Sequence, residues 1–223
     1  MRKLLTVACL SLLTIVSPAQ TAQEWRDSLY VLAKAIDNNP YSIELRLKKA
    51  AVNIELGQWE YAADEYGRVL EIDKRNLTAL YFRAYANTQL QRYEMARNDY
   101  EQILFMVPKH FEAQLGLAMV HRKMENKVET LDCLNQLVQF FPDSAIAYAA
   151  RAGYEAEQRM YDVALFDWDE AIKLDTANLE FYVSKVDVLL AMDRKRDARR
   201  VLNEAIAKGA SPVALKEWLE RCK

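Results

Sequence analysis

The sequence has few of the residues that mark sheets, metal sites and nucleic-acid surfaces. Glycine and proline number only five each among 223 residues, which argues against an all-β fold with many tight turns. The two histidines, His110 and His121, lie in no metal-ligand spacing with cysteine or carboxylate. The formal net charge is −2, so no basic excess suits nucleic acid. A hydrophobic content of 52% and a charged content of 28% nevertheless indicate a globular chain.

The common motifs of enzyme sites are also missing. The sequence contains no glycine-rich phosphate loop and no GxSxG nucleophile elbow. His110 falls between two repeats and is interpreted as a solvated turn residue. The basic cluster from Arg194 to Arg200 is interrupted by acidic residues, which favours a solvated helix surface over a phosphate contact. We therefore expect no enzyme, no small-molecule cofactor, no metal and no nucleic-acid partner.

The first residues have the three parts of a secretory signal peptide. Arg2 and Lys3 precede an uncharged apolar run from Leu4 to Val16, and small residues follow at Ser17 and Ala19. Residues 1–19 are thus predicted to be a cleaved signal, and the protein to be exported, either periplasmic or secreted. A buried N-terminal helix and an uncleaved anchor remain alternatives, the anchor being the one expected route to membrane contact.

Two cysteines lie beyond the predicted cleavage site. Cys133 and Cys222 are far apart in the chain, and a repeat protein brings only neighbouring repeats into contact. Unpaired thiols are expected, with an intermolecular bridge through Cys222 as the alternative.

A period of 34 residues organises the rest of the chain. Five units follow one another without insertion, at 43–76, 77–110, 111–144, 145–178 and 179–212. Within each unit, numbered 1 to 34, positions 8 and 20 are small and position 24 is large. The residues assigned this structural role are Ala50, Ala62, Ala84, Ala96, Ala118, Ala152, Ala164 and Trp168.

These columns predict pairs of antiparallel helices. Small residues at positions 8 and 20 allow two helices to approach closely, and large residues at position 24 fill the space beside that contact. Positions 17, 20, 24, 27 and 28 share one helical face. A single hairpin cannot bury its own apolar face, so the copies must stack on one another.

The pattern resembles the tetratricopeptide repeat, most closely from Ala79 to Pro108, and the resemblance covers Trp25 to about Pro212. It implies an all-α, right-handed α-solenoid of antiparallel helix pairs. Residues 24–40 are expected to form an N-terminal capping helix equivalent to the second half of a repeat. Residues 213–223 are expected to form a C-terminal capping helix, with Ser211 as its N-cap.

Charges at positions 7 and 23 vary together from unit to unit. Three units combine a base at position 7 with an acid at position 23, whereas the third unit is apolar at both. We hypothesise ion pairs across the hairpins, with coincidence on a charged surface as the alternative. The predicted pairs are Lys49–Glu65, Arg83–Asp99 and Arg151–Asp167.

The resemblance also implies where a ligand would bind. In this family the first helices of successive hairpins line a concave groove, and ligands commonly meet unit positions 2, 5, 9, 12 and 13. The corresponding candidate residues are Tyr81, Tyr85, Leu115, Met119, Arg122 and Lys123. A protein or peptide segment is the expected partner, although the two tyrosines could instead merely pack between helices.

The predicted function is therefore an exported scaffold for protein–protein interaction. The carboxylate clamp of some family members is absent, because Leu47 and Ala51 occupy positions 5 and 9 of the first unit. A self-associating component of a cell-envelope complex, and an enzyme with an unrecognised site, remain as alternatives.

Overall fold

The computed structural model describes residues 21–223, and these form helices without a β-strand. The prediction of an all-α fold made of helix pairs is confirmed, whereas the predicted signal peptide, 1–19, lies outside the described residues. The helices are α1 (Ala22–Asn38), α2 (Ile43–Glu55), α3 (Trp59–Ile72), α4 (Leu77–Gln89), α5 (Tyr93–Met106), α6 (Phe111–Lys123), α7 (Lys127–Phe140), α8 (Ala145–Glu157), α9 (Tyr161–Leu174), α10 (Leu179–Ala191), α11 (Lys195–Ala207) and α12 (Lys216–Arg221).

The chain divides into two compact units, one up to Arg92 and the other from Tyr93. In the first unit α1 packs on α2, α2 on α3 and α3 on α4. In the second unit each helix from α5 to α11 packs on the next one along the chain. The second 34-residue repeat is divided between them, with α4 in the first unit and α5 in the second.

The first helix of every repeat starts immediately after a capping residue at unit position 34. A side-chain oxygen or ring nitrogen there accepts a hydrogen bond from a backbone N–H in the first helical turn. The caps are Ser42, Asn76, His110, Ser144 and Asn178. The interpretation of His110 as a solvated turn residue was wrong, because its half-buried Nδ1 lies 3.3 Å from the amide of Ala113 and caps α6.

The turn inside each hairpin requires a left-handed residue at unit position 15. The backbone N–H at position 16 donates to the carbonyl at position 11, which closes a Schellman motif. Only the first repeat has glycine there, Gly57, with φ of 68°. The other four repeats place larger residues in the same conformation, namely Gln91, Glu125, Arg159 and Asp193.

The alanine columns form the interior of the helix stacks. The seven alanines that the sequence singles out are at most 2% exposed, and Trp168 is 6% exposed. At Gly116 the backbone of α6 lies against the side chain of a neighbouring helix. A Cβ atom added to Gly116 in α6 would lie 2.5 Å from Cζ of buried Tyr100 in α5, so only glycine fits there.

The two ends of the described chain differ from each other. α1 begins with a capping box in which Thr21 and Glu24 exchange hydrogen bonds. The prediction of a C-terminal helix starting at Val213 with Ser211 as its cap was wrong, because residues 212–215 form turns and α12 begins at Lys216. These turns direct Leu215 into the core, where it is completely buried. Within residues 21–223 no helix is long and apolar enough to cross a membrane.

Candidate protein-binding surface

In the first unit, α4 presents the two predicted tyrosines half-buried. The Tyr85 ring meets Trp59 of α3 edge-on at 5.7 Å between centroids. The Tyr81 ring meets neighbouring Phe82 edge-on at 5.1 Å. Both rings therefore contribute to packing, as the alternative interpretation expected, yet neither is fully covered.

In the second unit, the other four predicted residues lie along α6. Leu115 and Met119 are half-buried, whereas Arg122 and Lys123 are exposed. Arg122 forms an ion pair with Glu157 at the end of α8, so its charge is already balanced. Lys123 has no hydrogen bond or ion pair with any residue in 21–223, which leaves its ammonium available to an acidic ligand.

The apolar column continues on the following first helices of the second unit. Ala149 and Gly153 of α8 occupy positions 5 and 9, and both are half-buried. A Cβ atom added at Gly153 would have no neighbour within 4 Å, so open space lies beside it. Position 5 is apolar and half-buried in every repeat, as Leu47, Tyr81, Leu115, Ala149 and Val183 show. Residues at this position are thus left partly uncovered by the stacking that buries position 8.

The first hairpin, made of α2 and α3, confirms one predicted ion pair and adds a second cation. Lys49 Nζ lies 2.8 Å from Glu65 Oε1. Arg46 Nη1 lies 2.9 Å from Glu65 Oε2, and its other nitrogens donate to the Pro40 carbonyl. Arg46 occupies unit position 4, so a rule restricted to positions 7 and 23 could not find it.

The fourth hairpin, made of α8 and α9, confirms another predicted pair and adds a second carboxylate. Arg151 donates to both oxygens of Asp167, at 2.5 and 2.8 Å. Glu155 Oε1 lies 3.9 Å from Arg151 Nε, and the buried Glu155 Oε2 has no hydrogen-bond partner. The pKa of Glu155 is raised to about 7, mainly by burial and also by the Asp167 charge, against the opposing charge of Arg151.

The remaining pairing predictions have different outcomes. Arg83 and Asp99 belong to different units, so their pairing stays a prediction. The fifth repeat has a base at position 7, Lys185, but the apolar Val201 at position 23. Lys185 of α10 instead forms an ion pair with Asp169 of the preceding helix α9. The base at position 7 therefore reaches either its own second helix or the one before it.

A buried polar column at unit position 11 was missed by the sequence analysis. Its members in the first four repeats are polar and at most 7% exposed, and they are Asn53, Asn87, His121 and Glu155. Leu189 occupies the position in the fifth repeat. The signal was present in the 34-residue alignment, because four polar residues stand where a hairpin interface demands apolar ones.

Both cysteines in the described chain are buried, unpaired thiols. Burial raises the pKa of Cys133 to about 11, with smaller contributions from nearby carboxylates, Asp132 first among them. Burial also raises the pKa of Cys222. Cys222 packs in the core of the second unit, so the alternative of an intermolecular bridge from a flexible end is not supported. Across residues 21–223 no group of three or more histidine, cysteine or carboxylate side chains could hold a metal ion.

Solved structures with the same architecture are tetratricopeptide-repeat proteins. One from Parabacteroides merdae superimposes with a TM-score of 0.65 at 25% identity, covering 90% of this chain and 78% of that one. The chain has the tetratricopeptide-repeat fold. YrrB, described as a tetratricopeptide-repeat protein with an unusual peptide-binding site, superimposes with a TM-score of 0.58 at 20% identity, covering 79% and 91%. MamA from Desulfovibrio magneticus gives 0.64 at 19% identity, covering 76% and 97%.

Sequence comparisons add one distant relative of this chain. No known family profile matches the sequence. Over 104 residues it is 25% identical to the mouse RNA polymerase II-associated protein 3, and the match covers 47% of this chain. The match spans only 16% of that protein's length. A tetratricopeptide-repeat fold of this kind supports a scaffold for protein–protein interaction in general.

Proposed function

We propose that this protein is an exported scaffold that binds a segment of another protein on the surface of its first helices. The observation that carries the proposal is that position 5 is apolar and half-buried in the repeats of each unit, as is position 9 at Tyr85 in the first unit and at Met119 in the second. Stacking buries position 8 of the same helices completely or nearly so, and it leaves positions 5 and 9 partly open. Partly open apolar and aromatic side chains on rigid helices suit peptide binding.

The second unit supplies the strongest part of this surface. Leu115 and Met119 offer apolar contact, Gly153 leaves space beside α8, and Lys123 offers an unbalanced positive charge. We therefore expect the bound segment to combine apolar side chains with an acidic group. YrrB is itself described as having a peptide-binding site, which agrees with this class of partner.

Affinity capture with matched variants tests the surface. The tagged protein is used to capture partners from the envelope fraction of its own cells, and these are identified by mass spectrometry. Leu115→Ser combined with Met119→Ser should reduce the capture of specific partners about tenfold, a loss typical of removing two anchor residues. Val128→Ser on α7, a second helix with Val128 69% exposed, is the control and should leave capture unchanged.

Capture of the same partners at different salt concentrations measures how much the Lys123 charge contributes to binding. Lys123→Glu should weaken capture mainly at low salt, since a rim charge acts over a screened distance. Equal capture by the wild type and by the Leu115 and Met119 double variant would contradict the proposed surface.

Export is tested independently of binding. The N-terminal sequence of the protein recovered from the cell envelope or the medium should begin at Gln20, one residue beyond the predicted cut. Recovery in the cytoplasm with Arg2 and Lys3 still present would contradict export.

A further inference from the structure

Within residues 21–223, the outward face of α1 carries exposed apolar residues. Tyr30 is 72% exposed and Val31 is 64% exposed, both near the middle of the helix. The opposite face packs toward the rest of the first unit and includes Leu29, Leu32 and buried Ile36. The exposed pair is therefore not the face on which α1 rests.

The repeat register explains why Val31 is uncovered. When the 34-residue numbering is extended back from Ile43 to α1, Val31 occupies unit position 23. In each later repeat this position lies on the second helix of the hairpin. The five later residues at this position are at most 8% exposed, namely Glu65, Asp99, Cys133, Asp167 and Val201. α1 thus presents a surface that every later hairpin keeps buried.

Tyr30 is unusual for its register as well. It occupies unit position 22, where the five later residues are all exposed: Asp64, Asn98, Asp132, Phe166 and Arg200. Four of those five are polar, so an aromatic residue at this position is not required for stacking. Its presence beside Val31 favours a contact with another molecule.

The start of α1 differs from the start of the second helix in each of the five repeats. Residues 22–24 occupy unit positions 14–16, where each of the five hairpins has its turn and its left-handed residue. In α1 these residues are helical, and Thr21 and Glu24 close a capping box instead. Residues 22–24 therefore do not form the turn that the five repeats have at these positions.

The charges around Tyr30 and Val31 are arranged symmetrically along the helix. Asp27 lies three residues before Tyr30, and Lys34 lies three residues after Val31. Both are exposed, and neither forms an ion pair with any residue in 21–223. Gln23 and Asn38 lie four residues further out on each side, so the stripe runs amide, acid, apolar, apolar, base, amide. Such a stripe is complementary to itself when two copies run antiparallel.

We propose that two copies of this protein associate through α1, packed antiparallel about a two-fold axis between Tyr30 and Val31. Each Asp27 then lies opposite Lys34 of the partner, which forms two equivalent ion pairs beside the apolar contact. The contact is small, so the dimer should be weak, with a Kd of about 1–100 µM. The interface uses none of the residues proposed to bind a protein segment.

Charge reversal tests this arrangement. Sedimentation velocity of the purified protein over about 1–100 µM should show a shift toward twice the mass of one chain. Asp27→Lys and Lys34→Asp should each weaken the dimer about tenfold or more, because each creates two like-charge pairs. The double variant carrying both changes should restore wild-type association, since reversal of both charges recreates the pairs.

Two further variants keep the test decisive. Asp64→Lys reverses an exposed charge elsewhere in the first unit and should leave the dimer unchanged. Tyr30→Ser should weaken it about tenfold through lost apolar contact, with the helical circular dichroism unchanged. A monomer at every concentration would overturn the proposal. So would a dimer that tolerates both charge reversals, or one that the double reversal fails to restore.

Discussion

The first and fourth hairpins both pair a base at position 7 with a buried acid at position 23, and each adds a third buried charged group of opposite sign to the other. In the first, two cations, Arg46 and Lys49, share the single carboxylate of Glu65. In the fourth, the single cation Arg151 lies beside the carboxylates of Asp167 and Glu155. The same fold therefore accepts an excess of buried positive charge or of buried negative charge. The two extra groups differ in whether they can change protonation state. A buried arginine keeps its charge at any physiological pH, whereas a buried glutamate can bind a proton.

The largest difference should appear when the shared acid is removed. Glu65→Gln leaves Arg46, only about a tenth exposed, without a carboxylate, and should lower the free energy of unfolding by about 3 kcal/mol. Asp167→Asn should cost only about 1 kcal/mol, because Glu155 can replace the lost partner of Arg151. Urea unfolding followed by circular dichroism measures both. Lys49→Met is the control and should cost less than 1 kcal/mol, since Arg46 still holds Glu65. Equal losses for Glu65→Gln and Asp167→Asn would show that the charge balance does not matter.

A pH-dependent difference should come next in size. The pKa of Glu155 rises from its ordinary value of 4.5 to about 7 on folding. Its contribution to stability is therefore complete below pH 4.5 and is lost as the pH rises through 7. Glu155→Gln should stabilise the protein by about 1–2 kcal/mol at pH 8, and it should have little effect at pH 4.

Urea unfolding of wild type and variant at several pH values measures this difference. Glu204→Gln, at an exposed position of α11, is the matched control and should show the same small effect at every pH. A Glu155→Gln effect that stays constant from pH 4 to 8 would contradict a raised pKa.

The smallest difference should lie in the turns of the two hairpins. Gly57 occupies the left-handed position of the first hairpin and Arg159, with φ of 59°, that of the fourth. Arg159→Gly should stabilise the protein by about 1 kcal/mol, because a residue with a Cβ is strained there. Gly57→Ala should destabilise it by a similar amount. Thermal unfolding measures both changes, and Asn at either position should give intermediate values. A destabilising Arg159→Gly would contradict this account of the turn.

The periodic part of the structure was predictable because it depends on residue size and spacing. Alanine at positions 8 and 20 allows close helix contact, and the recurrence of small residues at these two positions can be read directly from the aligned repeats. Two ion pairs were predictable for the same reason, since Lys49–Glu65 and Arg151–Asp167 follow from the register of one hairpin. The extra partners Arg46 and Glu155 were not found, because the predicted charge pattern joined only positions 7 and 23. Arg46 lies one helical turn before Lys49, and Glu155 lies one turn after Arg151.

The boundaries and the ends were harder to predict than the repeats. The start of α12 at Lys216 depends on the burial of Leu215. Capping residues in the sequence do not indicate that this side chain is buried. The half-buried state of Tyr81 and Tyr85 depends on how far Trp59 and Phe82 cover them. The sequence could therefore predict which residues form the candidate surface, but it could not predict how exposed each side chain is.

By itself, the sequence determined the helix pairs, their 34-residue period and the small residues at their contacts, because these are imposed by chain-local patterns repeated five times. Tertiary structure alone decided which charged groups are buried together in a hairpin and which face of α1 is exposed within residues 21–223. Those properties depend on distances between side chains that are far apart in sequence. The sequence pattern contains the residues that make these contacts, but it does not contain the distances between their side chains in the folded protein.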